Sequence, residues 1–115
     1  MNYPIRITKA ARRDLEEIYT WIAEHDSVSH ADHVLDRVAQ IVENITTFPE
    51  RGSRFPERGS RPQELRPGMR TDCRQVFFKP YRVIYQVRPT EVVIVLIADG
   101  RRNLQSLLLR RLRKD

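Results

Sequence analysis

Six cations in the second half of the chain, Arg70, Arg74, Lys79, Arg82, Arg101 and Arg102, are the side chains whose type and spacing offer chemistry. A guanidinium is a planar fork of N–H donors that grips phosphate or carboxylate oxygens in bidentate fashion. Arg82 interrupts the largely apolar run Tyr81-Arg82-Val83-Ile84-Tyr85-Gln86-Val87, and Arg101-Arg102 follows the apolar run Val92 to Ala98. On a meander sheet, one strand's start meets its neighbour's end, so these arginines are expected to gather on one surface. Taken singly, each serves equally well as a solvated, solubilising edge. Arg110, Arg111, Arg113 and Lys114 form a second basic group, expected on the outer face of a last helix whose dipole they complement.

Other chemistry is thinly represented. Gly52, Gly59, Gly68 and Gly100 are isolated, so no phosphate-cradling loop is present. His30 and His33 lie near Asp32 at helical spacing, but with no second ligand cluster they are expected to face water. No metal and no cofactor is therefore expected. Cys73 is the lone cysteine, with no histidine near it in sequence, and reads as a packed or exposed thiol. Trp21 falls beside the apolar stripe of the first helix and is expected in the core or a groove.

The whole chain bounds what these groups can serve. Its 115 residues suit one domain, spanning 1–115, with 40% hydrophobic and 31% charged residues, a globular composition. The longest apolar run, Val92 to Ala98, is far too short to cross a bilayer. Met1 to Ala11 lacks a basic segment followed by an apolar one, and a single cysteine suits a reducing compartment, so the expectation is a cytoplasmic protein without membrane association. Residues 1–50 hold 5 Lys/Arg against 9 Asp/Glu, whereas 51–115 hold 16 against 6, net −4 and +10. The basic half is expected to meet an anionic partner: nucleic acid, an acidic protein segment or anionic lipid.

The elements that must position the cations follow from periodicity. Tyr3 to Ile7 reads as a short strand. Thr8 caps a helix to about His25, with Leu15, Ile18, Tyr19 and Ile22 as its stripe. Asp26 to Ser29 forms a turn, and Ser29 is expected to cap a second helix carrying Ala31, Val34, Leu35, Val38, Ile41, Val42 and Ile45, which stops near Phe48 because Pro49 follows. Residues 49–68, rich in Pro, Gly and Arg, read as a loop with two Pro-Glu-Arg-Gly turns. Strands are predicted at Arg74 to Phe78, Tyr81 to Val87 and Val92 to Ala98, the last central because it is apolar on both faces. Asn103 caps a final helix with Leu104, Leu107, Leu108 and Leu112 inward. The order β-α-α-β-β-β-α predicts an α+β domain, an N-terminal strand and helical hairpin packed on an antiparallel meander sheet with a short C-terminal helix.

With these pieces in place the chain resembles the RelE/ParE toxin superfamily of type II toxin–antitoxin systems. The resemblance is carried by the opening strand and hairpin, Phe48-Pro49-Glu50-Arg51-Gly52, Leu65-Arg66-Pro67-Gly68-Met69-Arg70, Tyr81-Arg82-Val83-Ile84-Tyr85-Gln86-Val87, and Val95-Leu96-Ile97-Ala98-Asp99-Gly100-Arg101-Arg102-Asn103. It implies a cognate antitoxin, whose acidic segment folds onto the toxin in a hetero-oligomer, and a target that differs between two branches. RelE-like members cleave messenger RNA on the ribosome, and ParE-like members bind and block DNA gyrase, arresting growth. As a ribonuclease, the chain keeps Arg82 and Arg102 at matching positions. The lysine positions of the RNA-cutting branch fall near Gln75 and Phe77, its tyrosine near Leu108, and Asp99 replaces a histidine. Each missing proton-transfer group is worth about two powers of ten in rate. The resemblance therefore favours the ParE-like branch: no catalytic residue, a gyrase inhibitor not an enzyme, with Arg70, Arg74, Lys79, Arg82, Arg101 and Arg102 binding the target; the alternatives are a ribosome-dependent messenger ribonuclease and a non-toxic basic nucleic-acid-binding module.

Overall fold

Two hydroxyls set the ends of the helical hairpin in the computed structural model, which describes residues 3–55 and 73–114. Thr8 Oγ1 accepts from the Ala11 N–H at 3.0 Å and starts α1 (Lys9–His25). Ser27 Oγ accepts from the His30 N–H at 3.0 Å and starts α2 (Val28–Thr47). The cap expected at Ser29 is thus Ser27. Its extended backbone puts the hydroxyl within reach of the free amide three residues on, and Ser29 already lies inside the helix. α2 stops at Phe48, directly before Pro49.

Five strands form one sheet in the order β1-β5-β4-β3-β2: β1 (Ile5–Ile7), β2 (Ser53–Phe55), β3 (Cys73–Phe78), β4 (Tyr81–Val87) and β5 (Val92–Asp99). β2 to β5 are antiparallel neighbours, whereas β1 runs parallel to β5, an exception to the expected meander. β2 was not anticipated from the sequence. Its three residues are too few to show a period, and pairing of Ser53 with Gln75 and Phe55 with Cys73 supplies the order. The expected turns around the second Pro-Glu-Arg-Gly, 56–59, and the segment carrying Arg70 lie outside the described residues.

Strand alternation sorts the sheet into two faces. Val83, Tyr85, Val92, Ile94 and Ile97 pack against Ala11, Val38, Ile41 and Ile45 of the hairpin. Ile84, Val93, Val95, Leu96 and Ala98, with Phe55 and Cys73, pack against Leu104 and Leu108 of α3 (Leu104–Lys114) on the other side. β5 is therefore covered on both faces, as its unbroken apolar run requires. A bulge at Val95, between the pairs Ile84–Leu96 and Tyr85–Ile94, puts Val95 and Leu96 on the same α3 side.

β1 reaches only as far as Ile94, so the following edge of β5 has no strand beside it among the described residues. Asp14 of α1 and Arg111 of α3 close it. Asp14 Oδ2 accepts from the Ile97 N–H at 3.0 Å, Arg111 Nη1 donates to the Val95 carbonyl at 2.9 Å, and the two side chains join in a bidentate ion pair at 2.7 and 2.8 Å. Arg111, expected on the outer face of α3, is instead mostly buried. Leu109 is buried beside Leu108, so the buried stripe is wider than the leucine spacing suggests and carries Arg111 to the sheet edge.

Behind β4 the buried Tyr85 hydroxyl ties down the chain that enters β2. It donates to the Pro49 carbonyl at 2.7 Å and accepts from the Gly52 N–H at 3.0 Å. A Cβ at residue 52 would lie 2.7 Å from the Gln75 carbonyl and from that hydroxyl, so only glycine fits. Among the described residues, no helix is long and apolar enough to cross a membrane.

Replacing Arg111 with Ala, or Asp14 with Ala, should each cost about 2–3 kcal/mol, because the remaining partner and a backbone group lose their bonds. The double variant should cost clearly less than the two single losses added together, measured by urea unfolding. Strict additivity would mean that the two groups act independently. Tyr85→Phe should cost about 1–3 kcal/mol by the same measurement, since it strands two backbone groups.

Candidate functional site

Arg82 begins β4 on the α3 side of the sheet, beyond the ground that α3 covers. Cross-strand register sets Phe77 opposite it on β3 and Ala98 opposite it on β5. The guanidinium lies over the Phe77 ring, 4.4 Å from its centroid, and Phe77 is 54% exposed. Arg82 Nη1 donates to Gln75 Oε1 at 3.1 Å. Gln75 is 1% exposed, and its amide Nε2 is buried without a hydrogen-bond partner among the described residues. Gly100 closes the other side: a Cβ there would stand 3.0 Å from Arg82 Nε, and its N–H donates to the Pro80 carbonyl.

The remaining predicted cations do not all join this surface. Arg74 pairs with Tyr85 in register and faces the hairpin side, where it donates to the carbonyls of Glu50 and Gly52. An odd–even offset in antiparallel strands puts residues 74 and 82 on opposite faces, so the expected single cluster is split. Arg101 folds back onto Asp99, which it holds with two side-chain bonds at 2.8 and 3.0 Å and its backbone N–H at 2.8 Å. Arg102 is exposed in the same turn. Lys79 is exposed at the β3–β4 turn and lines a groove of about 350 Å³ with Trp21, His30, His33, Phe78 and Tyr81. Trp21, 60% exposed, is thus a groove aromatic, stacked on His25. His30 and His33 are exposed, His30 bonding Asp26 at 2.6 Å. No group of three potential metal ligands occurs among the described residues. Cys73 is a packed thiol.

Electrostatics at the strand ends follow from these contacts. The Arg101 guanidinium and N–H hold the Asp99 carboxyl below the ordinary aspartate range. Burial pushes the Tyr81 phenol upward, and Asp99 beside it adds to the shift. Gln75 and Phe77 were not identified as site residues in this setting. In the sequence they stand out only as positions where the RNA-cutting branch carries lysines, and their meeting with Arg82 depends on the β3–β4 register.

A helical hairpin and a C-terminal helix enclose a mixed sheet, and Arg82, at one end of it, has no ion-pair partner among the described residues. Residues 5–104 match the ParE toxin family of type II toxin–antitoxin systems, parDE. The chain is 32% identical over 101 residues to Toxin ParE3 of Caulobacter vibrioides, covering 88% of this chain and 90% of that protein. The chain belongs to the ParE toxin family. Its fold is also that of the chromosomal ParDE toxin–antitoxin system from P. aeruginosa, at TM-score 0.62 and 20% identity over 84% of this chain and 95% of the other. The toxin–antitoxin complex RelBE2 of Mycobacterium tuberculosis aligns at TM-score 0.57 and 21% identity, over 86% and 99%. A mutant of E. coli toxin RelE in the free state aligns at 0.58 and 14% identity, over 96% and 98%.

Because folding lowers the Asp99 pKa, the turn's contribution to stability is complete above the ordinary aspartate value of about 4 and is lost as pH falls through the lowered one. A carbon-detected NMR titration should give Asp99 a midpoint below that of an unfolded aspartate, and Arg101→Ala should bring it back up. An unmoved midpoint in the variant would assign the shift elsewhere.

Proposed function

We propose that this toxin acts by binding DNA gyrase and stalling it, and that an acidic segment of a cognate antitoxin neutralises it in a hetero-oligomer. The observation that carries this reading is the company Arg82 keeps. Its hydrogen bond and ring contact go to Gln75 and Phe77, neither of which can take up or release a proton near neutral pH. RNA cleavage requires a base for the ribose hydroxyl and an acid for the leaving oxygen. A site with a cation, an amide and a phenyl ring suits binding instead. Arg82 and the exposed Arg102, with Lys79 and Arg101 on neighbouring turns and Arg70 in the preceding segment, are the residues proposed to contact the target. Arg74 supports the chain at 50–52.

Membership of the ParE family supports the toxin assignment, and the excess of basic residues over 51–115 supports an acidic partner. A ribosome-dependent messenger ribonuclease is the competing reading, favoured by Arg82 and Arg102 and by structural likeness to RelE.

One experiment separates the two. The purified toxin is added to gyrase with relaxed plasmid, and separately to a translating extract in which messenger integrity is followed. Loss of supercoiling with intact messenger is the expected result; codon-specific cleavage with normal supercoiling would reverse the assignment. Replacing Arg101 and Arg102 together with Ala should raise the toxin concentration for half-inhibition about tenfold, with the fold retained, as for the loss of charged contacts at an interface.

A further inference from the structure

We propose that the outer face of α3, continued by Arg102, is a DNA-binding surface that grips the phosphate backbone of the duplex that gyrase holds. This rests on the reading of the chain as a gyrase-binding toxin and adds which part of the gyrase–DNA complex it touches. The starting observation is that the fold separates charge by layer. The hairpin, residues 9–47, holds 4 Lys/Arg against 8 Asp/Glu, whereas residues 99–114, which carry α3 across the other face of the sheet, hold 6 against 1. The one acid, Asp99, is taken up by Arg101, and Arg111 is taken up by Asp14. Arg102, Arg110 and Arg113 are exposed and form no ion pair among the described residues. Spacing sets where they lie. Leu104 and Leu108 pack on the sheet, so at 3.6 residues per turn Ser106, Arg110 and Arg113 fall together on the opposite side of α3. Arg102 leads into that line from the turn before the helix, and no acidic residue occurs between positions 100 and 114. A helix C-terminus favours cations, but like charges at i and i+3 repel, so within the fold the two effects oppose each other.

The make-up of this face favours phosphates over an acidic protein segment. A segment that folds onto a protein is anchored by apolar and aromatic side chains, and charged residues are depleted at the centre of such interfaces. The outer face of α3 exposes no large apolar side chain among the described residues: Leu104, Leu108 and Leu109 are buried, and Leu107 and Leu112 pack toward the sheet. The exposed Trp21, Val28 and Leu35 belong to the hairpin, the other layer. A phosphate backbone needs no apolar anchor, because solvated cations displace its condensed counterions and the gain comes from their release. Contacts of this kind position a protein on a duplex without reading its sequence. The half-buried Arg82, beside the exposed Phe77 ring, adds positive charge at the end of the same layer. Lys79 instead lines the groove beside Trp21 on the hairpin side. Gyrase works with duplex DNA bound, so a toxin seated on it meets that backbone.

The test uses the full-length toxin and a fluorescein-labelled DNA duplex of mixed sequence, with binding followed by anisotropy from low to high KCl. For three phosphate contacts, log affinity against log salt should fall with a slope of about −2.7. Arg110→Gln combined with Arg113→Gln should flatten that slope by about 1.8, at an unchanged melting temperature. The same variant should raise the toxin concentration for half-inhibition of gyrase about tenfold. Arg12→Gln combined with Arg13→Gln removes equal charge from the exposed hairpin face and should leave the slope as it is. An equal loss in both double variants would overturn the proposal, since net charge alone would then hold the duplex. So would a wild-type toxin that does not bind the duplex, or an α3 variant that melts earlier with its slope unchanged, the mark of a structural pair. Loss of antitoxin binding in the α3 variant with the slope kept would also overturn it and assign the face to the antitoxin's acidic segment. If the wild-type toxin binds the duplex as predicted yet leaves supercoiling intact, the surface stands and the gyrase reading fails, a result distinct from the others.

Discussion

The edge of β5 beyond Ile94 is the constraint on which the rest of the structure depends. A strand buried on both faces has its polar backbone groups at its edges, and an unpaired edge is both costly and sticky. β1 is too short to cover the whole length, and the Asp14–Arg111 pair takes over where it ends. One ion pair thereby fixes α1 on one face and α3 on the other to the same two backbone groups. The arrangement resolves a conflict in the sequence, which puts an arginine on a helix face that the sheet must bury. The arginine is retained there because it has both a carboxylate and a carbonyl to meet.

The bulge at Val95 and the β3–β4 register then determine what Arg82 meets. From the bulge to Asp99, β5 keeps its far end level with the start of β4, so Gly100 arrives beside Arg82, where a Cβ would stand 3.0 Å from its Nε. Phe77 and Gln75 come from the neighbouring strand at the same level. On the other face Tyr85 and Arg74 tie the chain at 49–52 to the sheet. Two arginines eight residues apart in sequence therefore lie on opposite faces, separated by the pleat of the strands.

The basic half of the chain is correspondingly less uniform than its net charge suggests. Arg101 is neutralised by Asp99, Arg111 by Asp14, and Arg88 by Glu91, which it shares with Arg6. Arg82 and Arg102 retain their charge without a described ion-pair partner.

The sequence by itself determined the elements, because periodicity and end signals act over a few residues. The Thr8 cap, the stop before Pro49, the Tyr81 to Val87 strand and the doubly apolar Val92 to Ala98 strand all follow from local physics. Arg82 was also marked out as a polar residue in an apolar strand. Tertiary structure decided the rest: the parallel β1, the short β2, the inward turn of Arg111, and the meeting of Gln75 and Phe77 with Arg82. Each of these depends on register between segments distant in the chain, and a shift of one residue would exchange the faces. Which side chains a strand could present was written locally; which of them would meet was settled only when the strands paired.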